Sequence, residues 1–485
     1  MTRISQLTVC VLLLAGCASP FEPTPAANPW ADDYAPLVPM SHWKEWGTYN
    51  VHDPSCKRVG DYYYMYSTDA ILGENPDEAR AAGVPMGFIQ MRRSADLVNW
   101  EFLGWAFDSI PDEARRWVLQ ASGGHGATNI WAPYIAEYDG IFRLYYCVSA
   151  FGRKTSYIGL AESESPTGPW RQKGCVVRTS DSTAMNAIDP TVVVDAKTGD
   201  WWMHYGSYFG GTYCVRLNPE TGLAMKEGDL GHLIARRADY AKDNLEAPEV
   251  IYNPALGKYF LFVSYEPLMT TYNVRVGRSD SPSGPFYDYF GTDMADTTNN
   301  LPILTAPYRF DGHSGWAGTG HCGVFADADG RWFMCHQGRL SPHNMMMDLH
   351  LRRLFFTADG WPVVSPQRYA ASPQVALGPA DLEGVWEIIS IEPPCLERGL
   401  EAGQVLWGEG GLQACEQARS RRLKITRNDI RNFCTPTQTF DLQLPDRRIT
   451  NLITFVGHDW ELQRRTVLMT GLTDQGFSIW GKRVE

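Results

Sequence analysis

The chain is 485 residues long, 44% hydrophobic and 20% charged, an ordinary globular composition with enough material for one large domain and a smaller one. A formal net charge of −12 leaves no basic face to draw phosphates or an anionic membrane surface. That balance argues against nucleic acid as a partner and for a neutral ligand.

The first segment has the pattern of a processing signal. Arg3 supplies positive charge, Leu7 to Ala15 an apolar run, and Leu14-Ala15-Gly16-Cys17 resembles the lipobox of a bacterial lipoprotein. Residues 1–17 are therefore expected to be removed up to Cys17, which would carry the lipid. Residues 18–40 form a Pro- and Ala-rich tether with no amphipathic period. Ala18 after the Cys is similar to lipoproteins sorted to the outer membrane, so export to that membrane is expected, facing the periplasm or the cell surface. Contact with the membrane would run only through the anchor, because no other apolar run is long enough to span it.

Of 11 Cys, Cys10 would leave with the signal and Cys17 would carry lipid; Cys56, Cys147, Cys175, Cys214, Cys322, Cys335, Cys395, Cys415 and Cys434 remain. An oxidising compartment permits disulfides, but an odd remainder leaves at least one thiol free, and the absence of CxxC spacing excludes a zinc framework.

Residues 41–375 repeat. Five aromatic, β-prone runs each follow a Gly turn: Gly60-Asp61-Tyr62-Tyr63, Gly140-Ile141-Phe142, Gly199-Asp200-Trp201-Trp202, Gly257-Lys258-Tyr259-Phe260 and Gly330-Arg331-Trp332-Phe333. Four are preceded by a short strand that opens on a proline: His52-Asp53-Pro54, Trp131-Ala132-Pro133, Ile188-Asp189-Pro190 and Glu246-Ala247-Pro248. The fifth opens on Gly320-His321-Cys322. A repeat of roughly 60 to 80 residues with three or four strands is a propeller blade, so the expected fold is all-β, a five-bladed β-propeller with few helices. In such a ring the first strand of each blade lines a central channel. Proline keeps the residue before it extended, so Asp53, Asp189, Glu246 and His321 are expected to converge at one channel mouth.

Three carboxylates and a histidine at a channel mouth suit glycoside hydrolysis, in which one carboxylate activates water and one protonated carboxyl releases the leaving oxygen. His52-Asp53-Pro54-Ser55, Asn186-Ala187-Ile188-Asp189-Pro190 and Leu245-Glu246-Ala247-Pro248 resemble the three catalytic signatures of glycoside hydrolase family 43, in the family's order and over roughly residues 45 to 370. The resemblance implies Asp53 as general base, Glu246 as general acid, Asp189 as the carboxylate that orients Glu246 and raises its pKa, and inversion at the anomeric carbon. Glu246 stands two residues before its Pro, whereas Asp53 and Asp189 stand one before theirs, an offset that in strict strand alternation turns it aside and leaves Glu249 as a rival acid. His321 is similar to the histidine beside a hydrated calcium in the arabinan-cutting branch, which implies Ca2+ near His321 held mostly by water. Asp327-Ala328-Asp329-Gly330 is read as a hairpin turn rather than a calcium loop.

Asn186-Ala187-Ile188-Asp189, the Gly-His segment, Tyr272 to Phe286 and Leu349 to Ala370 look most like extracellular endo-α-1,5-arabinanases with an added C-terminal domain. Arabinan or arabino-oligosaccharide is then the expected substrate, with Asn186, Trp131 and Trp201 as substrate-binding candidates and core as the competing reading of both tryptophans. Tyr134 stands where relatives often have an acid, which bears on subsites more than on reaction type. An exo-acting arabinofuranosidase or β-xylosidase is the alternative among enzymes. An inactive oligosaccharide-binding propeller is the alternative of another class, disfavoured because all three acids are present. Residues 381–485 have alternating strands without Asp-Pro or Glu-Ala-Pro, so a small β-barrel or sandwich that shields a propeller edge is expected there, with one possible disulfide among Cys395, Cys415 and Cys434. A monomer is expected.

Overall fold

The structure is a computed structural model that describes residues 32–70, 81, 83–84, 87–237, 244–296, 300–341, 346–393, 415 and 418–485. The expected signal, Cys17 and most of the tether lie outside the described residues, as does Cys395.

Five antiparallel sheets follow one another along the chain, each from one contiguous segment. Their innermost strands are His52–Val59, Trp131–Tyr138, Thr191–Val194, Leu245–Asn253 and Cys322–Ala326. Each returns through a hairpin to a second strand: Tyr62–Thr68, Ile141–Ser149, Trp201–Tyr205, Lys258–Tyr265 and Trp332–Leu340. Gly60, Gly140, Gly199, Gly257 and Gly330 sit in those five hairpins, all with φ between +60° and +78°, a conformation glycine adopts without steric cost. Further strands complete each blade outward, giving a five-bladed propeller.

The apolar core lies between blades. Tyr66, Ile89 and Met91 of blade one meet Ile135 and Leu144 of blade two, and Val193 of blade three meets Leu261 and Val263 of blade four. The ring closes where Val51, Tyr63 and Met65 pack on Phe333, Cys335 and Leu351 of blade five. Two backbone hydrogen bonds, from Leu349 N to Thr48 O at 2.8 Å and from Val51 N to Met347 O at 2.9 Å, stitch the same seam. An α-helix, Asp112–Ser122, follows blade one; Ala114 and Val118 are buried against the blade one–blade two core, and Gly123 in the left-handed region ends it.

The C-terminal domain is one curled seven-stranded antiparallel sheet over its own core of Trp386, Phe440, Leu452 and Met469. It covers the outermost strands of blades four and five. Ser478 Oγ donates to Ile303 O at 2.5 Å, Thr470 Oγ1 donates to Val364 O at 2.8 Å, and the Phe355 and Phe455 rings lie 4.7 Å apart. Two exposed strand edges are thereby removed from solvent. At the junction the buried Lys482 Nζ holds Asp459 at 2.7 Å and Glu461 at 2.6 Å, and Glu461 in turn accepts from Gln367 Nε2 of the propeller at 2.6 Å. Cys56, Cys147, Cys175, Cys214, Cys322, Cys335 and Cys434 are free thiols, so Cys434 takes no part in a C-terminal disulfide.

Candidate active site

All five innermost strands begin the same way. Asp53, Ala132, Asp189, Ala247 and His321 carry φ of +52°, +39°, +57°, +56° and +48°, and the first four stand directly before a proline. A side chain in this region is strained, and its recurrence at five equivalent places marks one architectural position used five times. In blades one, two and four the strand register shifts across it, between His52 and Ser55, Trp131 and Tyr134, and Glu246 and Glu249. This bulge answers the offset of Glu246. Ala247, not Glu246, holds the position equivalent to Asp53 and Asp189, and the extra residue re-aims the side chain before it.

Asp53 is buried and fully engaged. Its Oδ1 accepts from His321 Nδ1 at 2.7 Å and lies 3.2 Å from His52 Nε2; its Oδ2 accepts from Thr68 Oγ1 at 2.7 Å. Thr68 accepts in turn from Ala132 N at 2.7 Å, which fixes the direction of its hydroxyl proton. Burial pulls the Asp53 carboxyl up, but the His321 imidazolium and these hydrogen bonds outweigh it and hold the group far below the usual carboxylate range. Burial lowers His52 to about 4, so it stands neutral beside Asp53. His321 is also opposed by burial, yet the charges of Asp53, Asp189 and Glu246 raise it to about 9.

Glu246 and Asp189 are pushed the other way. Burial raises both, and the two carboxyls and Asp53 add mutual repulsion, so the pair holds its last proton above the ordinary carboxylate range. Asp189 Oδ2 accepts from Ala247 N at 3.1 Å, which ties it to the residue after Glu246. Glu246 Oε1 accepts from Tyr272 Oη at 2.9 Å and Oε2 from Ser207 Oγ at 2.7 Å. One carboxylate is thus kept ionised and another carboxyl protonated within one cluster, the requirement for paired acid and base catalysis.

Glu249 points into the layer below. It is buried, with Oε2 accepting from Thr191 Oγ1 at 2.8 Å and Oε1 from Val324 N at 3.2 Å. Equivalent residues of the other blades join it. Ser55 Oγ accepts from Ile135 N at 3.3 Å, Tyr134 Oη donates to Val192 O at 2.8 Å, and at Gly323 an added Cβ would lie 2.7 Å from Pro54 O. The five blade junctions are closed in a circuit around the axis, and Glu249 belongs to that circuit.

Trp131 is half-buried at the entrance of blade two, its ring centroid 6.3 Å from that of Phe151, which is 85% exposed. Asn186 is buried and its Oδ1 accepts from Ser156 Oγ at 2.5 Å, bracing the approach to Asp189. Trp201 is corrected to core. It is 6% exposed, pairs with Val194 at the far end of its blade and stacks edge-on with Tyr138, away from the channel mouth. Thr68, Ser207, Tyr272 and Phe151 are site residues that the motifs did not point to. Thr68 ends a second strand, Phe151 and Ser207 lie two residues past one, and Tyr272 directly precedes the third strand of blade four, all at the end of the blade to which the chain returns after the hairpin glycine.

Among the described residues no group of three or more His, Cys, Asp or Glu side chains is arranged to hold a metal ion. His321 already gives Nδ1 to Asp53, so the donor set fits a cation only as a single imidazole nitrogen with water completing the shell. Asp327 Oδ1 accepts from Asp329 N at 2.9 Å and Arg331 N at 2.8 Å, closing a hairpin turn.

Comparison with known proteins gives a consistent result. The sequence profile of Glycosyl hydrolases family 43 matches residues 47–362. An extracellular endo-α-(1→5)-L-arabinanase of Thermotoga petrophila is 27% identical over 90% of this chain and 94% of its own. An extracellular exo-α-(1→5)-L-arabinofuranosidase of Cellvibrio japonicus is 32% identical over 65% of this chain and 86% of its own. The crystal structure of an endo-1,5-α-L-arabinanase from Thermotoga petrophila superposes with a TM-score of 0.73 at 25% identity, covering 90% of this chain and 99% of the other. A Cellvibrio cellulosa α-L-arabinanase complexed with arabinohexaose gives 0.53 at 29% identity, covering 65% and 95%.

Proposed function

The chain belongs to glycoside hydrolase family 43 and is a glycosidase, and from that premise we propose that it is an endo-acting α-1,5-L-arabinanase that cuts arabinan with inversion. The observation that carries the endo reading is the extent of the likeness. The Thermotoga endo-arabinanase matches 90% of the chain, the C-terminal sheet as well as the propeller.

Asp53, ionised at any working pH, orients and polarises the attacking water. Its low basicity suits a reaction whose electrophile is oxocarbenium-like, where the water needs direction more than early proton removal. Glu246 gives its proton to the departing oxygen; burial keeps that proton on, and repulsion among Glu246, Asp53 and Asp189 adds to it. Inversion needs about 6.5–9.5 Å between base and acid to admit the water. Trp131 and Phe151 offer an aromatic wall for furanose rings at the edge of the groove. A hydrated Ca2+ on the remaining nitrogen of His321 would replace that nitrogen's proton, and its own charge would take over from the imidazolium in favouring the ionised Asp53. Export is supported by the extracellular relatives; anchoring at the outer membrane rests on the Leu14-Ala15-Gly16-Cys17 pattern alone, and palmitate labelling lost in Cys17→Ser tests it.

The deciding experiment sizes the products of linear 1,5-α-arabinan over time. A ladder of medium oligomers appearing early supports endo action. Short products released from the outset, with long chains otherwise intact, favour the exo reading that the Cellvibrio relative suggests.

A further inference from the structure

Glu246 is the one acid of the cluster whose two oxygens are both met by hydroxyls from outside its own strand. Ser207 comes from blade three and is seated by a β-bridge to Glu246, backed by Tyr208 N donating to Leu245 O at 2.8 Å. Tyr272 comes from the loop before the third strand of blade four. Its ring lies against Gly320, where an added Cβ would stand 2.3 Å from Tyr272 Cδ1, so the glycine beside His321 is there for space. Both hydroxyl-bearing residues are buried, at 4% and 1% exposure.

We propose that Tyr272 and Ser207 are positioning residues for acid catalysis, two fixed hydroxyl donors that hold the Glu246 carboxyl in place and stabilise it as it becomes a carboxylate. This rests on the reading of Glu246 as the general acid. A carboxyl has two acceptor sites on each oxygen. With one site on each taken by a hydroxyl, the acid proton is left a site on the channel side. As the C1–O bond of the sugar breaks, that proton passes to the leaving oxygen and Glu246 becomes anionic. The two hydrogen bonds then become charge-assisted and stronger, so their contribution grows in the transition state and appears in kcat rather than KM. Burial and the neighbouring carboxylates keep the Tyr272 phenol protonated, hence a donor, throughout the working range. The other groups facing Glu246 are Asp189, Asp53, His321 and the phenol of Tyr208.

The test compares Tyr272→Phe, Ser207→Ala and Ser207→Thr with wild type on two substrates: linear arabinan, and an arabinotrioside with a 4-nitrophenyl leaving group that departs without a proton. Glu246→Ala serves as the reference for an absent acid. Tyr272→Phe and Ser207→Ala are each expected to lower kcat on arabinan about 10- to 100-fold, with KM and the nitrophenyl substrate changed less than about 3-fold. The alkaline limb of kcat/KM should move to higher pH, because donors that favour the carboxylate have been removed. Ser207→Thr should restore the wild-type split. Equal losses on both substrates, or no loss on arabinan, overturn the proposal, and Ser207→Ala decides it alone if Tyr272→Phe does not fold. If Glu246→Ala itself shows no difference between substrates, the parent reading of the acid fails instead.

Discussion

Replacing Glu249 by Gln separates a carboxyl that holds the ring together from one that does chemistry. Glu249 is buried beneath the cluster, and burial raises it to about 7 from the ordinary 4.5 despite hydrogen bonds from Thr191 and Val324. The folded protein therefore keeps a proton on Glu249 between about pH 4.5 and 7 that the unfolded chain has lost. A group raised on folding contributes stability that is full below its unfolded pKa and vanishes as pH rises through the folded one, so stability from this site falls across that window. A shift of roughly 2.5 units corresponds to about 3 kcal/mol. Gln has no proton to lose, and its amide can accept from Val324 N and donate to Thr191 Oγ1. Urea unfolding of wild type and Glu249→Gln at pH 5 and pH 8 should show the variant gaining about 2.5 kcal/mol relative to wild type at the higher pH, since pH 5 already lies inside the window, with kcat within a few-fold. Parallel pH dependence in the two proteins would refute the buried-carboxyl argument. A loss of activity on the order of 100-fold or more with the fold intact would make Glu249 the acid in place of Glu246.

Asp53→Ala and Glu246→Ala should fold as wild type by circular dichroism and each lose about 100- to 10,000-fold in kcat on arabinan. Phe151→Ala, at an exposed ring, should leave thermal stability unchanged and raise KM on long arabinan by roughly 3- to 10-fold, as the loss of one stacking contact of about 0.5–1.5 kcal/mol requires. Trp201→Ala should do the reverse, costing about 3–5 kcal/mol in unfolding free energy with the kinetic constants of the folded fraction kept. Chelation should lower wild-type activity, restored by added Ca2+, whereas His321→Ala should be slow from the start and indifferent to either addition.

The propeller was legible because its repeat is carried by the chemistry of turns. A glycine that must adopt positive φ and a proline that fixes the chain at a strand's start recur with the blades, and both signals are local. That Asp53, Asp189, Glu246 and His321 come together was legible for the same reason. What local pattern could not give was depth. Glu246 and Glu249 are three residues apart on one strand, and only the bulge at Ala247 decides which looks into the mouth and which into the hub. Trp201 follows directly on the Gly199 turn, and since that turn lies at the opposite end of the blade from the Asp189 entrance, counting along the hairpin already puts it far from the site. The same counting runs forward to Thr68, Phe151, Ser207 and Tyr272, which end second strands or follow them and so come back to the mouth. These positions have no common residue type, which is why no motif announced them.

The five left-handed entrances explain how one ring serves two duties. At the entrances the side chains differ from blade to blade, Asp, Ala, Asp, Ala and His, so that unlike groups meet at one mouth. Two residues further along, the side chains differ as well, Ser, Tyr, Thr, Glu and Gly, but each is used for the same purpose, to reach or admit the next blade. A strained backbone residue costs on the order of 1–3 kcal/mol, and five of them would be a heavy load on a marginally stable domain. The hub circuit directly below is where that strain is offset, since each junction it closes fixes the entrance above it. Rigid placement of Asp53 against Glu246 is thus a property of the ring rather than of either residue.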